Sequence, residues 1–418
     1  MSPTPVLSQY RGRGNLMIID VPALTHKLVA IPSETTRSNV PIIEKLDGVL
    51  STAGFETHIQ EVRETLPGSG RKVNLLAEIG SGSQRLVFSG HVDTVPVGDP
   101  DTWDHDPLGA DGFVDGVLFG RGSLDMKGQV AAMCAAAADA GDSLDNLTVM
   151  LAITADEESG HWGIKALAAE HVFESAVGAV ICEPTTGAVY RAHKGGMTTT
   201  VDVRGKSCHS SRPHEGVNAI VHAARFISAL EDRLREWGDF RHPAFDDDPQ
   251  TFTVAQIEGG VAVNVVPASC GMQISCRVLH ERQFGLFRDH LKAICLELAE
   301  SDAEAGIEPD RRFHANVHTS IWAPPMITDE NAEIHQLVKA LIGQEENLYA
   351  RFGTDGGVLS HVGLPCVIWG PGDIGRAHAP DEYITRDELM QGYEGYLRLI
   401  REVATRDLPT TTTTLWTP

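Results

Sequence analysis

No stretch of this sequence reaches the roughly eighteen consecutive apolar residues that a membrane-spanning helix needs. No membrane span is therefore expected. The N-terminus carries Arg11 and Arg13 but lacks the apolar run of a secretory signal. Cysteine is sparse: seven residues, an odd number, with no C-x-x-C pair. That speaks against a disulfide framework and against a thiolate zinc site, and for reduced thiols in a cytoplasmic protein. Positive charge is also short. Lys and Arg number 34 against 57 Asp and Glu, a formal charge of −23. A general basic surface for nucleic acid is not expected. There is no H-E-x-x-H, no P-loop lysine and no clear nucleophile elbow. Gly370 to Gly375 fits G-x-G-x-x-G, but Pro380 follows too closely for the helix that a dinucleotide site requires.

What remains is an ordinary globular composition, 42% apolar and 22% charged, in a chain of 418 residues. That length suits two or three domains. Residues 1–16 and 408–418 read as tails, the latter a Thr run between prolines. Between 17 and 195 apolar runs alternate with helical patterns. RLVFSG, TVMLAIT and VGAVICE read as buried strands; KGQVAAMCAAAADA and GIKALAAEHVF read as helices. This predicts an α/β domain with a mostly parallel sheet. Over 196–316 the order becomes β-α-β-β-α-β, that of a ferredoxin-like α+β unit. Residues 317–407 return to α/β. The reading is a small domain inserted into a discontinuous larger one. Its open sheet edge and Thr-rich first strand suit either pairing with a second copy or an edge covered within the monomer.

Chemistry-bearing residues collect where the apolar strands end. RLVFSG runs into His91-Val92-Asp93, TVMLAIT into Glu157-Glu158, VGAVIC into Glu183, and LPCVIWG towards His378. Asp125, in GRGSLDMKG, precedes the Ala-rich helix. Parallel strands would bring all five segments to one sheet edge, where ligands of open α/β sheets gather. Nitrogen and oxygen donors without Cys suit zinc, cobalt or manganese. Five ligands exceed the three protein ligands of a single catalytic zinc. Two cations sharing a carboxylate would use all of them. Residues i and i+2 of an extended segment point the same way. Asp93 is therefore expected to accept the second ring N–H of His91. Of the adjacent pair, one glutamate is expected to bind metal while the other faces the reacting water.

The stretches SGHVDTVPVG, GRGSLDMKG, ITADEESG, CEPT, GKSCHSSRPHEGVNAI, GGVAVNVVP and AHAPDEY together resemble the dinuclear zinc deacylases and exopeptidases. That family includes acetylornithine deacetylase, succinyl-diaminopimelate desuccinylase, aminoacylase and carboxypeptidase G. The resemblance implies two divalent ions, zinc first, with cobalt or manganese as alternatives. It implies His91 and Glu183 on one metal, Glu158 and His378 on the other, and Asp125 bridging, with a cis peptide after Asp125. Glu157 would be the general base, with Asp93 orienting His91 and His209 stabilising the oxyanion. Asn264, Arg277 and Thr354 match substrate-contacting positions. Cys208 and Gln129 depart from the family's usual small residues. ITADEESG, FGTDGG and GPGDIGRAHAPDEYI are most similar to the acetylornithine deacetylase branch. This implies a small N-acyl amino acid substrate, with a succinylated amino acid, another N-acyl amino acid or a small peptide as the alternatives. It also implies a homodimer through the inserted domain.

Overall fold

The computed structural model describes residues 18–414 except 64, 66, 238, 239 and 247. The tail expected over residues 1–16 lies outside the described residues. The chain divides into two units. The first holds the residues up to Val189, Asn331–Glu345 and the chain from Gly363 onward. The second holds Tyr190–Glu330 and Glu346–Val362.

The first unit is built on a mixed sheet. Its strands run in the order Glu56–Val62, Lys72–Gly80, Leu147–Thr154, Gln84–His91, Ala176–Ile181, Cys366–Ile368. The first two pairings are antiparallel. The other three are parallel. Every residue of Leu147–Thr154 and of Ala176–Ile181 is buried. Strands covered on both faces are apolar throughout, which is why these segments show no alternation. The helix Gly128–Asp139 packs between this sheet and the helix Arg386–Ala404. Its alanines keep both neighbours close. Gly90 makes the same point from the strand: a Cβ there would stand 2.9 Å from the Met126 methyl and 3.1 Å from Val130 Cγ2. Arg386–Ala404 begins at a capping box. The Thr385 hydroxyl accepts the Glu388 N–H at 3.1 Å, and the Glu388 carboxylate accepts the Thr385 N–H at 2.9 Å. Farther along, the buried Tyr396 packs edge-on against Phe88 and donates its hydroxyl to the Trp369 carbonyl at 3.1 Å.

One expectation fails here. The segment after residue 408 is not loose as far as it is described. Gln84 Nε2 donates to the Arg406 carbonyl at 2.9 Å, and the Leu408 N–H donates to Gln84 Oε1 at 2.7 Å. The Thr411 N–H reaches the Ala176 carbonyl at 2.9 Å, and Leu408 and Thr413 are buried. Composition misleads because main-chain groups make most of these contacts, and any residue type supplies them.

The second unit contains a four-stranded antiparallel sheet in the order Thr251–Gly259, Ser269–Val278, Gly195–Arg204, Ala315–Ala323. The helices Ala219–Trp237 and Arg282–Glu304 pack against it around Phe226, Leu230, Phe287 and Leu291. Chain order and sheet order together are those of a ferredoxin-like fold. Asp302, buried on the second helix, accepts a two-pronged contact from Arg225 at 2.6 and 3.2 Å and the Phe313 N–H at 2.7 Å. Burial alone would raise its carboxyl; Arg225 and the Phe313 N–H outweigh that and hold it below the usual range. A depressed acid stabilises the fold above its unfolded pKa of about 3.9 and stops doing so as pH falls through the folded value. Asp302→Asn is therefore expected to cost about 2–3 kcal/mol at neutral pH. Thermal unfolding of parent and variant should converge in acid; a gap that is constant with pH would refute this.

Candidate metal centre

His91 closes its strand, and Glu157 and Glu158 lie just past the neighbouring parallel strand Leu147–Thr154. Glu183 lies just past Ala176–Ile181, the strand on the other side of Gln84–His91. Parallel pairing thus delivers these residues to one edge of the sheet. Asp125 sits in the irregular turn Ser123–Lys127, and the Asp125–Met126 peptide is cis, as the resemblance implies. His378 has a left-handed backbone, φ 63°, in the loop before Tyr383–Thr385.

These residues converge. His91 Nε2 is 3.1 Å from Asp125 Oδ1 and 3.6 Å from Glu183 Oε1. His378 Nε2 is 3.2 Å from Asp125 Oδ2 and 2.9 Å from Glu158 Oε1. The two oxygens of Asp125 are therefore divided, one towards each imidazole. Ligand atoms of His91, Asp125 and Glu158 all lie within 4.8 Å of one another. Burial lowers the His91 imidazole, but Asp125, Glu183, Asp93 and Glu157 hold it well above the usual histidine range. His378 is pushed up to about 10 by its contacts with Asp125 and Glu158. Burial raises Glu158, whereas the two imidazoles hold Asp125 below the usual carboxylate range. The negative charge here calls for positive charge between the carboxylates. With nitrogen and oxygen donors arranged around a divided carboxylate, the residues fit a pair of divalent cations.

Asp93 does something different from what its spacing suggests. His91 Nδ1 lies 2.9 Å from the main-chain oxygen of Asp93 and 3.7 Å from its carboxylate. The carboxylate is taken by main-chain donors instead: Oδ1 accepts the Glu157 N–H at 3.2 Å and Oδ2 the Glu158 N–H at 3.1 Å. Asp93 therefore ties the glutamate pair to the His91 strand. The i, i+2 rule places carboxylate and carbonyl on the same side and cannot choose between them.

The turn carrying the glutamates is held from beneath as well. Asp156, left-handed at φ 59°, forms an ion pair with Lys72 at 2.7 Å, and both side chains are 0% exposed. Lys72 also donates to the Thr35 carbonyl. Two residues along the same strand, Asn74 Oδ1 accepts the Ala155 N–H, while its amide donates to Gln60 and to the Gly163 carbonyl. Glu157 is nearly buried, with His161 Nδ1 at 3.6 Å from Oε1. The sequence alone did not single out Lys72, Asn74, Arg121 or Glu382. The polar K-x-N inside a strand and the glutamate of AHAPDEY were the available signals.

Four expected residues belong to the second unit. His209 is exposed, with Nδ1 2.7 Å from the Ser211 hydroxyl. Asn264 is exposed and its carbonyl accepts the Ser210 N–H. Arg277 is half-buried on the strand Ser269–Val278, its pKa lowered by burial. Thr354 is buried; its N–H lies 3.3 Å from His193 Nε2 and its hydroxyl accepts the Gly356 N–H. Lys194 is paired with Asp248 at 3.0 Å. The seven cysteines are free. The GPGDIG stretch leads only into the short turn Ile374–Arg376, which is not the helix of a dinucleotide site.

Residues 87–402 match peptidase family M20/M25/M40. The chain is 34% identical over 371 residues to an acetylornithine deacetylase of Proteus mirabilis, covering 86% of this chain and 91% of that protein. It is 33% identical over 381 residues to one of Erwinia tasmaniensis, covering 88% and 94%. Among solved structures, a tripeptidase from Staphylococcus aureus superposes with a TM-score of 0.73 at 22% identity, over 93% of this chain and 100% of the other. That likeness speaks for the fold. The family match, spanning most of the chain and enclosing all of the converging residues, identifies the chain as a hydrolase belonging to peptidase family M20/M25/M40.

Proposed function

We propose that this chain hydrolyses the amide bond of an N-acyl amino acid at a two-cation site, with N-acetylornithine as substrate and ornithine and acetate as products. The divided carboxylate of Asp125 is the observation that carries this reading. A single ion would not need one oxygen turned to each imidazole. His91 and Glu183 would hold one ion, Glu158 and His378 the other, and Asp125 both; zinc suits the donors best. Bound there, the ions would acidify water and polarise the amide carbonyl. Glu157 takes the proton of the attacking water and returns it to the departing amine. Asp93 fixes Glu157 by its main-chain N–H, so that base and cation ligand keep one spacing. His209 stabilises the oxyanion, Arg277 pairs with the substrate carboxylate, and Asn264 and Thr354 complete the substrate contacts.

The named relatives support the acetylated substrate. In domain terms, the inserted part runs from about residue 196 to the end of its last strand, Ala315–Ala323, and the catalytic part is 17–195 with the chain after that strand to 407. The inserted part joins two copies through the outer strand Thr251–Gly259, on which Ile257 is exposed, with Val261 and Val263 exposed just past it. The Thr-rich strand Gly195–Arg204 is paired on both sides and offers no edge. No helix among the described residues is long and apolar enough to cross a membrane; we place the enzyme in the cytoplasm. The test is a panel of N-acetyl, N-succinyl and N-formyl amino acids and dipeptides, assayed with zinc, cobalt and manganese. The expected outcome is the highest kcat/KM for N-acetylornithine. Preference for another acyl amino acid overturns the substrate, and no amide hydrolysis with any metal overturns the whole reading.

A further inference from the structure

We infer that Glu382 is a positioning residue for the cation pair, fixing the peptide that carries Asp125 relative to the loop that carries His378. The inference rests on the two-cation reading above. Glu382 follows His378 by four residues but is 257 residues from Asp125. Its Oε1 accepts two successive main-chain N–H groups, Leu124 at 3.1 Å and Asp125 at 3.0 Å. Its Oε2 accepts Arg121 Nη1 at 2.7 Å. Its own carbonyl accepts the Gly120 N–H at 2.8 Å and the Ser123 hydroxyl at 3.3 Å. The Glu382 side chain is 0% exposed and that of Arg121 4%. The Trp103 ring covers the guanidinium at 5.2 Å.

The loop itself is fixed at both sides of Glu382. Before it, the Asp381 carboxylate accepts the N–H groups of Asp104 and His105. After it, Tyr383–Thr385 pairs antiparallel with Val117–Phe119. Among the described residues, Glu382 is thus the side chain in this frame that reaches the main chain of the divided carboxylate. Two successive N–H groups aimed at one oxygen specify an anion at that point. A neutral residue could pack the space, and desolvating an ion pair is costly. Charge at this position makes sense as placement: it sets where Asp125 stands with respect to His378, and so the gap the cations must fill.

The test measures metal binding directly. The metal-free parent is titrated with cobalt(II), read by visible absorption and by competition with a chelator. A parent that binds no cobalt(II) removes the two-cation reading, and this inference with it. Given a binding parent, Glu382→Gln is expected to weaken the cobalt Kd by about 10–100-fold, the usual effect of losing a partner behind a ligand. The visible band should change, and kcat should fall with little change in KM. Because the single variant strands the Arg121 charge, the double variant Glu382→Gln/Arg121→Met is measured beside it. The same weakening in the double variant at a near-parental Tm supports the inference. An unchanged Kd and band in either folded variant overturns it. A double variant that cannot fold also overturns it, because the pair would then serve the fold rather than ligand placement.

Discussion

Glu157→Gln is expected to lower kcat by about a thousandfold or more while leaving both cations bound. General base catalysis is worth about 10²–10⁴-fold, and the amide of glutamine cannot take up the water's proton. The substitution keeps the side chain's size. It leaves the main-chain N–H of residue 157 on Asp93 and does not touch the contact between Glu158 and His378. Metal content by elemental analysis should therefore match the parent while turnover collapses. That split separates a base from a ligand. Near-parental kcat would remove Glu157 from the role, and loss of metal would move it among the ligands.

Asp125→Ala is expected to act the other way, on binding before rate. Asp125 is the only one of the converging residues in contact with both imidazoles. Without it, His91 keeps Glu183 and His378 keeps Glu158, but nothing joins the two halves. Metal affinity should fall by at least about a hundredfold, the upper end of what losing even an outer partner costs. Turnover should fall with it and recover only in part at high metal concentration. Retention of two tightly bound ions in this variant would sink the shared-carboxylate assignment.

The fold was legible wherever local pattern and long-range order agree. Leu147–Thr154 and Ala176–Ile181 are buried on both faces, so their apolar runs announced them. The strands Glu56–Val62 and Lys72–Gly80 were not singled out. The first is largely exposed, the second carries Lys72 and Asn74 inside it, and both pair antiparallel. His91, Glu158 and Glu183 were legible because each stands at or just past the end of a strand and parallel pairing aligns those ends. Asp125 and His378 sit in turns and loops and were legible from their motifs. The supporting residues were not. Glu382 and Asp93 act on main-chain N–H groups, which every residue possesses and no spacing marks. Lys72 finds Asp156 across the sheet, 84 positions later in the chain, so only the fold shows that the two charges belong together. The Thr-rich C-terminal segment failed for the same reason, since its fixed points are carbonyls and N–H groups.

The molecule carries two populations of charge that meet solvent differently. The acidic excess on its exterior repels itself across distances comparable to the Debye length, about 10 Å at 0.1 M salt, so added electrolyte relaxes that strain. The Lys72–Asp156 couple is sealed from water, and mobile ions cannot enter between its partners. A brine that quiets the outside therefore leaves the seat of the two glutamates as taut as before.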